Sequence, residues 1–152
     1  MTGKEQFSSP TPAVFAKLTD IGFLAACIPN ARILESQPER AVWTLSPKLP
    51  FLSGELHTTC LLTAAQPAEQ ASYTLDIRGL GSNAHAEATL IFHTDNGTDT
   101  VVEWRATITQ LGGMLKLAPP GMIDVLAKKI IAEAWVEIRK RLDSACTNEA
   151  VG

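Results

Sequence analysis

The sequence lacks most of the marks of a catalyst, a membrane span or a secreted protein. Three cysteines occur in 152 residues, Cys27, Cys60 and Cys146, widely spaced and without a CxxC. An odd count without close pairs reads as reduced thiols rather than a disulfide framework. No apolar run approaches the roughly 20 residues that span a bilayer. The opening stretch, MTGKEQFSSP, has no apolar core of a signal peptide. The expectation is a cytoplasmic protein with no transmembrane anchor. Net charge is only −3, with mixed signs, which argues against a nucleic-acid partner. Aromatic residues are scarce, at 6%, while alanines are plentiful. No internal repeat is present.

What is there is a long amphipathic segment at the end, Pro119 to Leu142. Ile123, Leu126, Ala127, Ile130, Ile131, Ala134, Ile138 and Leu142 form one helical stripe, with Lys, Arg and Glu mostly off it. Pro120 suits a first helical turn, and the basic residues of the last turn suit the helix dipole. Burying such a stripe contributes on the order of 10–20 kcal/mol before entropy is subtracted. It needs a broad apolar partner.

The preceding chain supplies strands. Residues 4–8 predict an edge strand. Thr11, as N-cap before Pro12, opens a short helix over Ala13–Leu18, and a second follows over Phe23–Ile28. The period then changes to two. Strands are predicted at Ala31–Gln37, Arg40–Ser46, Leu56–Thr63, Ser72–Arg78, Ala84–His93 and Val101–Thr109. Pro47 and Pro50 interrupt, Gly54 suggests a bulge, and Asp95-Asn96-Gly97 is a strong hairpin signal. Clean alternation implies antiparallel strands with one wet face. The length favours one domain, residues 1–146, with a frayed tail at 147–152. The inward positions of the two best strands include Ala84, Ala86, Ala88 and Ala106. Small side chains there imply either very close helix packing or a cavity, with Met114 and Met122 near its mouth.

No group assembles into chemistry. His85 and His93 lie about 26 Å apart on one strand and cannot share a metal, and His57 has outward parity. Glu87, Glu103 and Arg105 share an outward face, as cross-strand ion pairs do. Gly79-Leu80-Gly81 lacks the third glycine of a dinucleotide loop, and Asp95–Asp99 lacks the closing glutamate of a calcium loop. Cys27 and Cys60 sit in apolar surroundings without a His partner, and Ser53 and Ser82 are turn residues. Arg139-Lys140-Arg141 either complements the helix end or docks on an acidic partner or anionic membrane.

This order resembles the helix-grip fold of the START-like (SRPBCC) superfamily: α+β, a curved antiparallel sheet wrapped around a long C-terminal helix. Leu24-Ala25-Ala26-Cys27-Ile28-Pro29 is similar to the "LAACIPG" signature of the CoxG family, the G subunit of carbon monoxide dehydrogenase, with Asn30 in place of the glycine. Leu34-Glu35, the Gly- and Ala-rich stretch Gly79–Ala88, Gly112-Gly113, Ile123-Asp124 and Ala127-Lys128-Lys129 continue the resemblance over roughly residues 5–142. Pro119-Pro120 falls where the family continues a helix, which implies a late start or a kink. Some members carry a membrane-anchoring tail; none is expected here.

The resemblance implies a non-catalytic accessory protein of molybdenum hydroxylases of the carbon monoxide dehydrogenase type, binding a quinone- or lipid-like molecule. Neither a cofactor nor a metal is expected. The candidate cavity lining is Tyr73, Leu75, Ile77, Ala86, Ala88, Leu90, Trp104, Ala106, Met122, Leu126 and Ile130. Two other readings stay open. One is a cyclase- or hydrolase-like enzyme using Tyr73. The other is an assembly factor that docks on a hydroxylase subunit without a ligand. Oligomeric state is left open.

Overall fold

The computed structural model describes residues 1–46, 54–79, 81–119 and 121–151, with side chains up to Leu142. Pro47, Pro50, Ser53, Leu80 and Pro120 lie outside the described residues, as does the Cys146 side chain. The elements are β1 (Thr2–Phe7), α1 (Thr11–Leu18), α2 (Ile21–Ala26), β2 (Arg32–Ser36), β3 (Arg40–Leu45), β4 (Leu56–Gln66), β5 (Gln70–Gly79), β6 (Ser82–Asp95), β7 (Asp99–Gly113), a 3₁₀ turn (Met114–Leu117) and α3 (Met122–Val151). All seven strands join one antiparallel sheet in the order β1-β7-β6-β5-β4-β3-β2. The fold is α+β, a curved sheet with a C-terminal helix. From β2 to β7 it is a meander; β1 closes the outer side by pairing with β7.

The curvature has local causes. The register slips by one residue at Leu34, Thr63 and Thr109, each an extra residue on its strand. Such bulges bend a strand and raise its right-handed twist. Gly54, by contrast, precedes β4 and marks no bulge. At the β6–β7 end, Gly113 adopts φ +62°, and a Cβ there would overlap the Gly81 carbonyl oxygen, so only glycine lets the two backbones meet.

Several boundaries differ from those the sequence predicts. The cap of α1 is Pro10, not Thr11. The Thr11 hydroxyl instead lies 2.8 Å from that of Thr94 and 3.1 Å from that of Thr100. Helix α2 starts two residues early because the Asp20 carboxylate accepts from the Phe23 N–H at 3.3 Å. Helix α3 starts at Met122, the late start that the resemblance implied, since Gly121 adopts φ +84° and breaks the turn. Past Leu142, where the stripe ends, the backbone is helical to Val151.

The core forms in two pieces. The larger joins Phe7, α1, α2 and the inner faces of β3 to β7 to Trp135, Ile138 and Leu142 of α3. The smaller gathers Leu56, Ala84 and Leu115, with Ile77, Leu111 and Ile123 packed against it. Helix α3 thus touches the sheet's concave face near its start, at Ile123, and again between Ile131 and Leu142.

Candidate functional site

The registers assign the concave face residue by residue, because directly paired residues share a face. One cross-strand row runs Ala106–Ala88–Tyr73, the next Ile108–Ala86–Leu75–Cys60, and the next Leu111–Ala84–Ile77–Thr58–Trp43. All eight expected strand positions therefore lie on one face. Tyr73 and Leu90 are buried in the larger core piece, at 4% and 6% exposure. Leu75, Ile77, Ala86, Ala88, Trp104 and Ala106 are half-buried, and so are Met122, Leu126 and Ile130 of α3. Met114, expected at the mouth, is exposed. Leu126, Ala127 and Ile130 on the helix, and Ala86, Ala106 and Ile108 on the sheet, belong to neither core piece. Leu111 escapes a parity reading because the Thr109 bulge inverts the alternation after it.

The polar groups on this face divide sharply. The Tyr73 hydroxyl donates to the Leu18 carbonyl at 2.5 Å, fastening the end of α1. That bond engages the Tyr73 hydroxyl proton inside the core. The indole N–H groups of Trp43 and Trp104 and the Ser82 hydroxyl are buried and find no hydrogen-bond partner among the described residues.

Burial also holds two thiols protonated. Cys60 is pushed up to about 12 from the ordinary 9.0 by desolvation. Cys27 rises to about 11, chiefly by desolvation, with Arg141 lowering and Glu137 raising it. The Tyr73 hydroxyl moves up as well, by desolvation first and Cys60 second. A raised folded pKa means that the unfolded chain releases these protons first. The stabilisation is complete below pH 9.0 and is lost as pH rises towards the folded values of about 11 and about 12. The expected result is a urea midpoint that holds up to about pH 9 and falls above it, with a shallower fall in Cys60→Val. A midpoint equally steep in both chains would contradict the assignment.

The remaining candidates separate. His57 and His93 are exposed and His85 is half-buried on the convex face. Glu87 and Arg105 are not paired with each other. Glu103 instead contacts Lys4 at 3.5 Å and His93 at 3.7 Å, because β1 lies beside β7. Two cations of the basic cluster are engaged internally: Arg139 with Glu5 and over the Phe7 ring at 5.3 Å, Arg141 with Glu137 at 3.0 Å. Among the described residues, no three His, Cys, Asp or Glu side chains gather as metal ligands, and no helix is long and apolar enough to cross a membrane. A polar depression of about 230 Å³ lies on the convex face at Asp76, Arg78, Asn83, His85 and Gln110, with Asp76 and Arg78 paired at 2.9 Å. It is separate from the apolar face that α3 crosses.

Over residues 3–143 the sequence matches the family described as the G subunit of carbon monoxide dehydrogenase (CoxG). The chain belongs to the CoxG family. Among solved structures, a conserved protein from Geobacillus kaustophilus superposes with a TM-score of 0.81 at 17% identity, covering 95% of each chain. A START superfamily protein from Mycobacterium smegmatis gives 0.67 at 8% identity, covering 95% of this chain and 97% of that one. Protein Ms6760 from the same organism also gives 0.67, at 14% identity, covering 95% and 90%. At these identities the likeness establishes the START-like fold. No curated protein matches the sequence.

Proposed function

We propose that this CoxG-family protein is a non-catalytic accessory protein that holds a hydrophobic small molecule, quinone- or lipid-like, between the sheet and α3. The observation that carries this reading is the divided core. Between Ile123 and Ile131 the helix runs about 12 Å, and over that span Leu126, Ala127 and Ile130, with Ala86, Ala106 and Ile108 of the sheet, are left half-buried and outside both core pieces. Protein interiors are close-packed, so facing apolar surfaces left partly uncovered make a site that an apolar ligand would complete. The family's name supports the further reading that the protein serves a molybdenum hydroxylase of the carbon monoxide dehydrogenase type.

Native mass spectrometry of the purified protein, followed by organic extraction, tests the reading. The expected result is one apolar molecule per chain, released by solvent. An unliganded mass, together with failure to take up added apolar probes, would remove the carrier role. A docking role without a ligand is favoured by a different observation: Leu117, Val125 and Val136 are 68%, 70% and 52% exposed. Capture of a hydroxylase subunit by unliganded protein would support it.

A further inference from the structure

We infer that the molecule held between sheet and α3 carries a neutral hydrogen-bond-accepting oxygen, as in a ketone, ester or ether, and that the indole N–H of Trp104 donates to it. The inference rests on the ligand-binding reading above and narrows its ligand class.

Buried polar groups elsewhere in this fold are paired. The hydroxyl of Tyr73 reaches the Leu18 carbonyl, and that of Thr100 reaches the Ser9 carbonyl at 2.7 Å. Among the described residues, the buried side-chain exceptions are Trp43 Nε1, Trp104 Nε1 and Ser82 Oγ. A buried donor without a partner is costly and is normally rare. These three share one face. Trp43 belongs to the row of Ile77 and Ala84; Ser82 is two residues before Ala84; Trp104 is two residues before Ala106. Trp104 thus borders, at Ala106, the part of the floor that belongs to neither core piece, on the side of the larger piece to which it and Trp43 also belong.

Trp104 is held by shape. Its cross-strand partner on the edge strand is Gly3, and a Cβ at Gly3 would meet Cε2, Cζ2 and Nε1 of the indole at 2.6 Å. The ring lies on the glycine, where any larger residue would displace it. Packing thus fixes the position of the N–H without supplying an acceptor. An indole nitrogen donates only, so its complement is an acceptor atom. Arg139 reaches this end of the sheet, but its charge is already closed by Glu5, two residues along β1 from Gly3. It is not free to hold a carboxylate, and a neutral oxygen fits best.

The test uses the full, uniformly ¹⁵N-labelled chain and follows the indole N–H of Trp43, Trp104 and Trp135 with the backbone amides of Ala86 and Ala106. Acetophenone and ethylbenzene are the probes, alike in shape and differing by a carbonyl oxygen in place of two hydrogens. Acetophenone is expected to move the Trp104 indole proton downfield, and ethylbenzene is not. In Trp104→Phe the affinity ratio of ketone to hydrocarbon should fall roughly tenfold, whatever the variant's affinity for ethylbenzene itself. Binding of both probes with the same Trp104 response, and an unchanged ratio in Trp104→Phe, overturns the inference while the carrier reading stands. Failure of both probes to perturb Ala86 and Ala106 overturns both. The wild-type spectrum decides independently of whether the variant folds well.

Discussion

Replacing Phe7 by alanine is expected to remove about 3–5 kcal/mol of stability, read from the urea midpoint. Phe7 is 1% exposed, and its ring centroid lies 6.1 Å from that of Trp135 at a 47° tilt. The Arg139 guanidinium stands 5.3 Å above the same ring and pairs with Glu5 of the same strand. One side chain therefore fastens the edge strand β1 to the middle of α3. Domains of this size are stable by only about 5–15 kcal/mol, so the loss threatens folding itself. Glu5→Gln tests the charge separately and should cost about 1 kcal/mol or less, since the pair is partly solvated. Equal effects of the two substitutions would show that the ion pair, not aromatic burial, holds the helix down.

Ala86→Leu is expected to abolish uptake of apolar ligand while the thermal midpoint stays level or rises. Ala86 faces Leu75 on one side and Ile108 on the other, and none of the three is fully buried. The added side chain would occupy the ligand's space. In a filled core the same change would overpack and cost about 1–3 kcal/mol, so the sign of the midpoint shift reports whether the space is open. Leu90→Ala provides the contrast. Leu90 is 6% exposed within the larger core piece, and its truncation should cost about 2–5 kcal/mol. Unchanged ligand uptake in Ala86→Leu would remove this part of the sheet from the binding surface.

The strands from β3 to β7 are legible in the sequence because period-two alternation is a strong signal when one face is wet. The stripe of α3 is legible for the same kind of reason. What escapes a linear reading is set by contacts between distant residues. Thr11 looks like a cap, yet its hydroxyl is claimed by Thr94 and Thr100. Glu103 looks like a partner for its own hairpin, yet β1 arrives beside it with Lys4. All eleven candidate lining residues sit on the concave face or on the helix above it, but parity alone does not separate Tyr73 and Leu90, which are locked in the core, from Ala86 and Ala106, which are not. The unpaired indoles of Trp43 and Trp104 are invisible from the sequence, since pairing depends on which acceptors the fold brings near.

The pairing of β1 with β7 also sets an order of events. Thr2 pairs with Arg105 and Phe7 with Thr100. During synthesis at about 5–20 residues per second, the first strand waits roughly 5–20 s for its partner to be made. Throughout that wait Phe7 has neither β7 nor Trp135 to cover it. The meander from β2 to β6 is free to zip up hairpin by hairpin, whereas the Gly3–Trp104 contact and the docking of α3 come last. A chain stalled before β7 is an open sheet with an exposed edge along β6, the form in which a strand from another molecule finds its best template.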